Sequence, residues 1–175
     1  FNPVMFHYHG AGVAGQMGMT LQIVSAMQMG ATAWVQTKIP GFGVYISKKE
    51  YGNLDQLWQR TLGTTLVLLF CGAVSFWFLI YLFDAVDVEF SERLLKPLPT
   101  ALLLLAAILM HISYCQSAYL RAHKRDPIVV LSVTSSLAIG VLVWFLGKNF
   151  GPTGAAAGYF LVAACYIIPY ETFIW

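Results

Sequence analysis

The stretch Gly15–Lys38, GQMGMTLQIVSAMQMGATAWVQTK, carries no charged residue before its last position, yet it contains four glutamines. At about 1.5 Å per residue, a helix of this length crosses the roughly 30 Å hydrocarbon core of a bilayer. Unpaired amides in hydrocarbon cost several kcal/mol each. The stretch therefore predicts a membrane helix with one face turned away from lipid.

The rest of the chain extends this pattern. Of its 175 residues, 58% are hydrophobic and 10% are charged, whereas soluble domains carry about 25% charged residues. None of the hydrophobic segments alternates as the strands of a membrane β-barrel do, so helices are expected. The sequence predicts an all-α polytopic membrane bundle in a single domain, with five transmembrane helices in the charge-free runs 10–37, 61–83, 97–120, 127–147 and 149–170.

The connections between the runs predict the topology. Pro40, Gly41 and Gly43 indicate that the first helix ends near residue 37, and Asn53 followed by Gln56 resembles a capping box that starts the second. Placing the first and third connections in the cytoplasm puts seven of the ten Lys and Arg residues inside. In this topology the protein lies in the inner membrane, the chain starts outside, and its C-terminus is cytoplasmic. The odd number of five spans suggests a further helix upstream of Phe1.

On a helical wheel, the small and amide side chains of the first run form one stripe. They can form a helix–helix seam, or they can line a hydrated cavity that binds a polar molecule. Both possibilities stay open, and they are compatible. The stripe comprises Gly15, Gly18, Gln22, Ser25, Met29, Thr32 and Gln36, of which Gln22, Ser25, Thr32 and Gln36 are the cavity candidates.

The third run is oily in its first half and polar in its second, where His111 lies. An ionisable residue inside a membrane is a candidate functional residue by default. A neutral imidazole bonded to a neighbouring group is the simpler interpretation. If His111 acts, protonation near the ordinary histidine pKa of about 6.5 would switch its interactions.

Three basic residues, Arg121, Lys124 and Arg125, crowd the cytoplasmic end of the third run. They can set the topology and contact anionic lipid, or they can attract the phosphates of a lipid headgroup. No acidic residue lies within a run, and the acids at the run boundaries are Asp84 after the second and Glu171 after the fifth.

Small residues open the fifth run, where Gly154 and Gly158 form a GxxxG pattern. This pattern lets two helix backbones approach closely, so we expect the fifth run to pack on the fourth across a tight turn around Lys148. Gly15 and Gly18 are expected to serve the same purpose in the first run.

Several classes of function lack their sequence signatures. The chain contains no P-loop, nucleophile elbow or HExxH motif, and its three cysteines have no metal-binding spacing. We therefore expect neither an enzyme nor a metal or cofactor site, and no nucleic-acid partner.

Four segments in this order resemble the C-terminal half of polysaccharide-biosynthesis membrane proteins similar to the Wzx-type O-antigen flippases, of the multidrug/oligosaccharidyl-lipid/polysaccharide exporter superfamily. The resemblance implies two six-helix bundles around a cavity that opens alternately to each side. The five runs would correspond to helices eight to twelve, and the N-terminal half would be a partner within the same chain. The segments are AGQMGMTLQIVSAMQMGATAWVQTKIPGFG, LDQLWQR, AYLRAHKRDPIVVLSV and KNFGPTGAAAGYFLV.

The resemblance further implies membrane lipid and a polyprenyl-pyrophosphate-linked glycan as partners, with cationic residues in the cavity holding the pyrophosphate. This chain departs from that pattern, because no Lys or Arg lies within any of the five runs. A cation-coupled multidrug exporter of the same superfamily is an alternative, and it would need a carboxylate in the membrane. A non-transporting membrane scaffold is another alternative, and it predicts a dry interior.

Overall fold

The computed structural model describes residues 1–86, 92–123 and 129–174, and these residues are helical with no strand. Three stretches, Tyr51–Val86, Pro97–Ala122 and Val129–Ile174, are long and apolar enough to cross a membrane. The predicted all-α class is confirmed, together with helices that could cross a membrane. In chain order, the elements are α1 (Asn2–His9), α2 (Ala11–Ser47), α3 (Tyr51–Val86), α4 (Pro97–Ala122), α5 (Val129–Val162), a π-helical segment (Ala163–Ile167) and α6 (Ile168–Ile174).

The third stretch contains both the fourth and the fifth charge-free run. A straight helix of its 46 residues would be about 69 Å long, more than twice the thickness of the hydrocarbon core. The backbone instead turns at Gly151, where φ is 64° and ψ is −148°. This conformation is accessible almost only to glycine.

Contacts across this turn show that arms 129–150 and 152–174 fold back on each other as an antiparallel hairpin. Contacting residues lie at nearly equal distances before and after the turn, as expected of two helices that pair from a common bend. The pairs are Gly154 with Leu146, Gly158 with Leu142, and the hydroxyl of Thr134 with that of Tyr166 at 2.8 Å. The turn therefore lies at Gly151, three residues beyond its predicted position at Lys148, which is still helical.

Helix α2 does not end where the sequence predicted. It continues through Pro40 to Ser47, because a proline removes one backbone hydrogen bond but neighbouring helices can hold the remaining turns in place. Phe42, beyond the proline, is fully buried and packs with Leu54 and Trp58 of α3. Tertiary packing therefore outweighs the local helix-breaking signal.

The predicted capping box is also absent. Helix α3 begins at Tyr51, two residues before the proposed cap, and the Asn53 side chain donates to the Glu50 carboxylate at 2.9 Å. A hydrogen bond to a residue outside the helix replaces the expected bond to the helix backbone.

Helix α4 lies at the centre of the fold and contacts α2, α3, α5 and α6. Half of its most apolar window is buried, compared with 17% in each of the other two membrane-spanning candidates. Small residues such as Ala106 and Ala107 are almost fully covered, so neighbouring helices approach it closely. The polar half of α4 is thereby held among three other helices.

Candidate functional site

A groove of about 560 Å³ runs between α2 and α4. Six residues from each helix line it. Their side chains include apolar groups as well as hydroxyl, amide and imidazole groups. From α2 they are Ser25, Gln28, Met29, Thr32, Ala33 and Gln36, and from α4 they are Met110, His111, Ser113, Tyr114, Ser117 and Arg121.

The α2 wall is the C-terminal part of the stripe seen in the sequence. Ser25, Thr32 and Gln36 line the groove, and no side-chain hydrogen bond joins any of the three to another described residue. Their polar groups therefore have bonding capacity left for water or a ligand. Gln22 lies on the same stripe but is exposed outside the groove.

One glutamine of α2 serves the seam between the two helices. The Gln28 amide donates to the Ala107 carbonyl of α4 at 3.0 Å. This bond joins the helices beside the groove, as expected of an amide that ties two membrane helices together. Gln28, which lies beside the stripe, therefore ties the seam, while Ser25, Thr32 and Gln36 of the stripe line an open groove.

His111 lies on the α4 side of the groove and is 2% exposed. Its Nε2 is 2.8 Å from the Thr65 hydroxyl of α3, and that hydroxyl donates to the Thr61 carbonyl at 2.9 Å. Because the hydroxyl has a single hydrogen, it accepts from His111, so Nε2 carries the proton. Nδ1 is then an acceptor, and it has no partner among the described residues.

At the C-terminal end of α4, the groove carries the one cationic group among its described lining residues. Arg121 lines the groove on the same face of α4 as Tyr114 and Ser117. Arg121 also interacts with another part of the protein. Lys124 and Arg125, which were grouped with it in the sequence, lie outside the described residues.

Sequence reasoning did not single out Tyr114 and Ser117 as groove residues. A signal was present, because Met110, Tyr114, Ser117 and Arg121 are spaced by four, three and four residues and share one helix face. The stripe of α2 stood out because of its glutamines, whereas the α4 stripe was hidden among other polar residues.

The predicted packing glycines divide into two groups. A Cβ at Gly154 would overlap the Leu146 carbonyl, and one at Gly158 would lie 3.2 Å from the Leu142 carbonyl. A Cβ at Gly18 would lie 2.9 Å from the Asn2 side chain of α1. Gly15 differs from the expectation, because no described atom lies within 4 Å of a Cβ placed there.

Comparison of the chain with protein-family models, with curated proteins and with solved structures finds no match. The function must therefore be argued from the groove itself.

Proposed function

We propose that this chain forms part of an integral inner-membrane transporter that moves a lipid-linked oligosaccharide or polysaccharide precursor across the bilayer. The observation that carries the proposal is the groove of about 560 Å³ between α2 and α4, with hydroxyl groups on both walls and amide groups on the α2 wall. Its volume falls within the range of about 300–1,000 Å³ that small-molecule sites occupy. It can accommodate a sugar unit with associated water.

The free bonding capacity of the α2 wall supports a wet path. Ser25 and Gln36 are exposed in the groove rather than bonded to a neighbouring helix. Polar groups in contact with acyl chains would cost several kcal/mol each, whereas water or sugar hydroxyls satisfy them. Lipid-linked glycans carry a polar head and an oily tail, so the head follows the groove while the tail stays in lipid.

The basic end of the groove suits the phosphates of such a substrate. Arg121 offers two parallel N–H donors to a phosphate, and Arg is well suited to this recognition. Lys124 and Arg125 follow it in the sequence and are proposed to extend the cationic patch toward anionic headgroups. This places the phosphate at the predicted cytoplasmic mouth.

We further propose five crossings of the membrane. The hairpin supplies two, α3 and α4 supply one each, and α2 supplies the fifth, with its polar stripe covered by the rest of the transporter. The chain starts outside and ends in the cytoplasm, and the substrate passes by alternating access between this bundle and a second one.

Cysteine accessibility in inside-out membrane vesicles, which expose the predicted cytoplasmic mouth to the reagent, tests the wet groove. In a chain whose three native cysteines are replaced, single cysteines at positions 25, 32 and 36 should react with a membrane-impermeant maleimide. Controls at Leu68 and Leu137, which are exposed in apolar spans, should react slowly because they face lipid. A control at Ala155, which is fully buried, should not react.

Equal, slow labelling at all these positions would favour the scaffold, whose interior is dry. Labelling at 25, 32 and 36 combined with transport of hydrophobic cations, and no effect of a polyprenyl-pyrophosphate sugar on labelling, would favour the drug exporter. Protection of position 36 by that glycolipid, but not by the polyprenol alone, would support the proposed substrate class.

A further inference from the structure

A carboxylic acid lies inside the helix bundle on the side of α4 opposite His111. Glu171 of α6 was placed at a membrane boundary by the sequence, but its side chain is 1% exposed. It neighbours the Ser113 hydroxyl of α4, which lies nine residues, or about 13 Å, before the end of that helix. Its Oε2 has no hydrogen-bond partner among the described residues.

The π-helical segment Ala163–Ile167 turns this side chain inward. A π-bulge adds one residue to the helix and rotates everything after it by about 100°. With that rotation, Ile167 and Glu171 share the buried face that Gly158 and Val162 begin. Without it, Glu171 would point away from α4, so the irregularity positions the carboxyl group.

The charges around Glu171 do not neutralise it. On α4, His111 and Cys115 both interact with Thr65 of α3, so they lie on the side of α4 that faces away from Glu171. Arg121 lies about 12 Å further along α4 than Ser113. On the hairpin, Lys148 lies by the turn near Tyr8 and Trp144. Within residues 1–86, 92–123 and 129–174, Glu171 forms no ion pair.

A second buried acceptor lies on the same face of α4. Gln116 is three residues after Ser113, and its Oε1 also has no donor in the described structure. If Glu171 were ionised, its Oε2 and the Gln116 Oε1 would be two buried acceptors without a donor on the same side of α4, an arrangement that costs several kcal/mol. A single proton on the carboxyl group supplies the donor that both oxygens lack.

We propose that Glu171 and Gln116 form a buried proton-binding site. The proton binds Oε2 of the Glu171 carboxylate and is shared with Oε1 of Gln116, while Ser113 faces the other carboxyl oxygen. Because Ser113 also lines the groove, binding or release of this proton is linked to the shape of the groove wall. The site itself does not depend on which molecule the groove carries.

Infrared spectroscopy of the purified chain in lipid nanodiscs, without sodium, tests the site. At pH 7 exposed carboxyl groups are ionised, so a C=O stretch of a protonated carboxylic acid should come from Glu171. Glu171→Gln should remove this band. The matched change Glu50→Gln, at an exposed carboxylate outside the helices, should leave it intact.

Two further measurements keep the test decisive if Glu171→Gln folds poorly. Gln116→Leu should shift the frequency of the band without removing it, because the proton loses its acceptor, and Ser113→Ala should produce a smaller shift.

Absence of the band in the unmodified chain, or its persistence in Glu171→Gln, would overturn the proposal. Loss of the band on adding sodium at constant pH would assign the site to a metal cation instead of a proton. Glycolipid protection of position 36 is measured separately, so failure of the transport proposal would not be mistaken for failure of this one.

Discussion

The two arms of the α5–α6 hairpin and the pair α2–α4 are both helix pairs with small residues on their facing sides, but they pack in opposite ways. In the hairpin, Gly154 and Gly158 bring one backbone against the carbonyls of the other and leave no space. Between α2 and α4, larger polar side chains hold open a groove. Glycine at the contact closes a helix interface, whereas larger hydroxyl and amide side chains that lack partners leave a groove between the helices.

The closed interface should break most easily at its tightest point. Gly154→Ala places a methyl group on the Leu146 carbonyl and within 2.7 Å of the Phe150 Cβ, and the backbone must shift to relieve the overlap. We expect a loss of about 3 kcal/mol or more in reversible unfolding in mixed micelles. Gly140→Ala, on the same hairpin with open space around it, should be unchanged or up to about 1 kcal/mol more stable.

The bend of the hairpin should be the next most sensitive point. Gly151→Ala forces a side chain into a backbone conformation with φ of 64° and should cost about 2 kcal/mol. Gly63→Ala, in a helical position with nothing within 4 Å, provides the control. Equal stability of the two variants in the same unfolding assay would show that the bend relaxes without strain and that the hairpin is less rigid than its close contacts imply.

Loss of the Thr65–His111 hydrogen bond beside the groove should reduce stability less than the substitutions in the hairpin. Thr65→Val removes the acceptor of the His111 Nε2 proton and leaves a buried donor unpaired, at a cost of about 1–2 kcal/mol. Thr64→Val is the matched control, because the exposed Thr64 hydroxyl bonds only to the Arg60 carbonyl of its own helix. A loss that is the same for both variants would mean that the histidine finds another partner.

Two glutamines of α2 should separate the roles of seam and wall. Gln28→Met removes the bond to the Ala107 carbonyl and should reduce stability by about 0.6–1 kcal/mol. Gln36→Met, which breaks no side-chain bond within the chain, should change stability by less than about 0.5 kcal/mol but reduce glycolipid protection of a cysteine at position 32. If Gln36→Met reduced stability and Gln28→Met reduced glycolipid protection instead, Gln36 would be the seam residue and Gln28 the wall residue.

The sequence predicted the all-helical class and the spacing of the α2 side chains that line the groove, because both depend on local periodicity. Charge-free runs located the apolar segments, and helical spacing alone identified Ser25, Thr32 and Gln36 as neighbours on the amide stripe. Periodicity could not show that Gln28 bonds across the seam while Gln22 lies outside the groove, since that depends on where α4 crosses α2.

Other features depend on tertiary packing and were therefore predicted poorly. Pro40 carries a strong local signal to end a helix, but burial of Phe42 beyond it holds the helix together. The inward orientation of Glu171 depends on a π-bulge, which has no reliable sequence signature. A regular helical wheel drawn through Ala163–Ile167 would place that carboxyl group on the wrong side.

The continuation of α2 through Pro40 also affects the chemistry of the groove. Since proline has no N–H, the main-chain carbonyl of Gln36, one turn earlier, has no amide to accept from within the helix. Residue 36, which lines the same groove as Arg121, therefore carries two oxygen acceptors, one from its side chain and one from its peptide group. A sugar that donates a hydroxyl to each would be held by a fixed pair, and exchanging the side chain would remove only half of it.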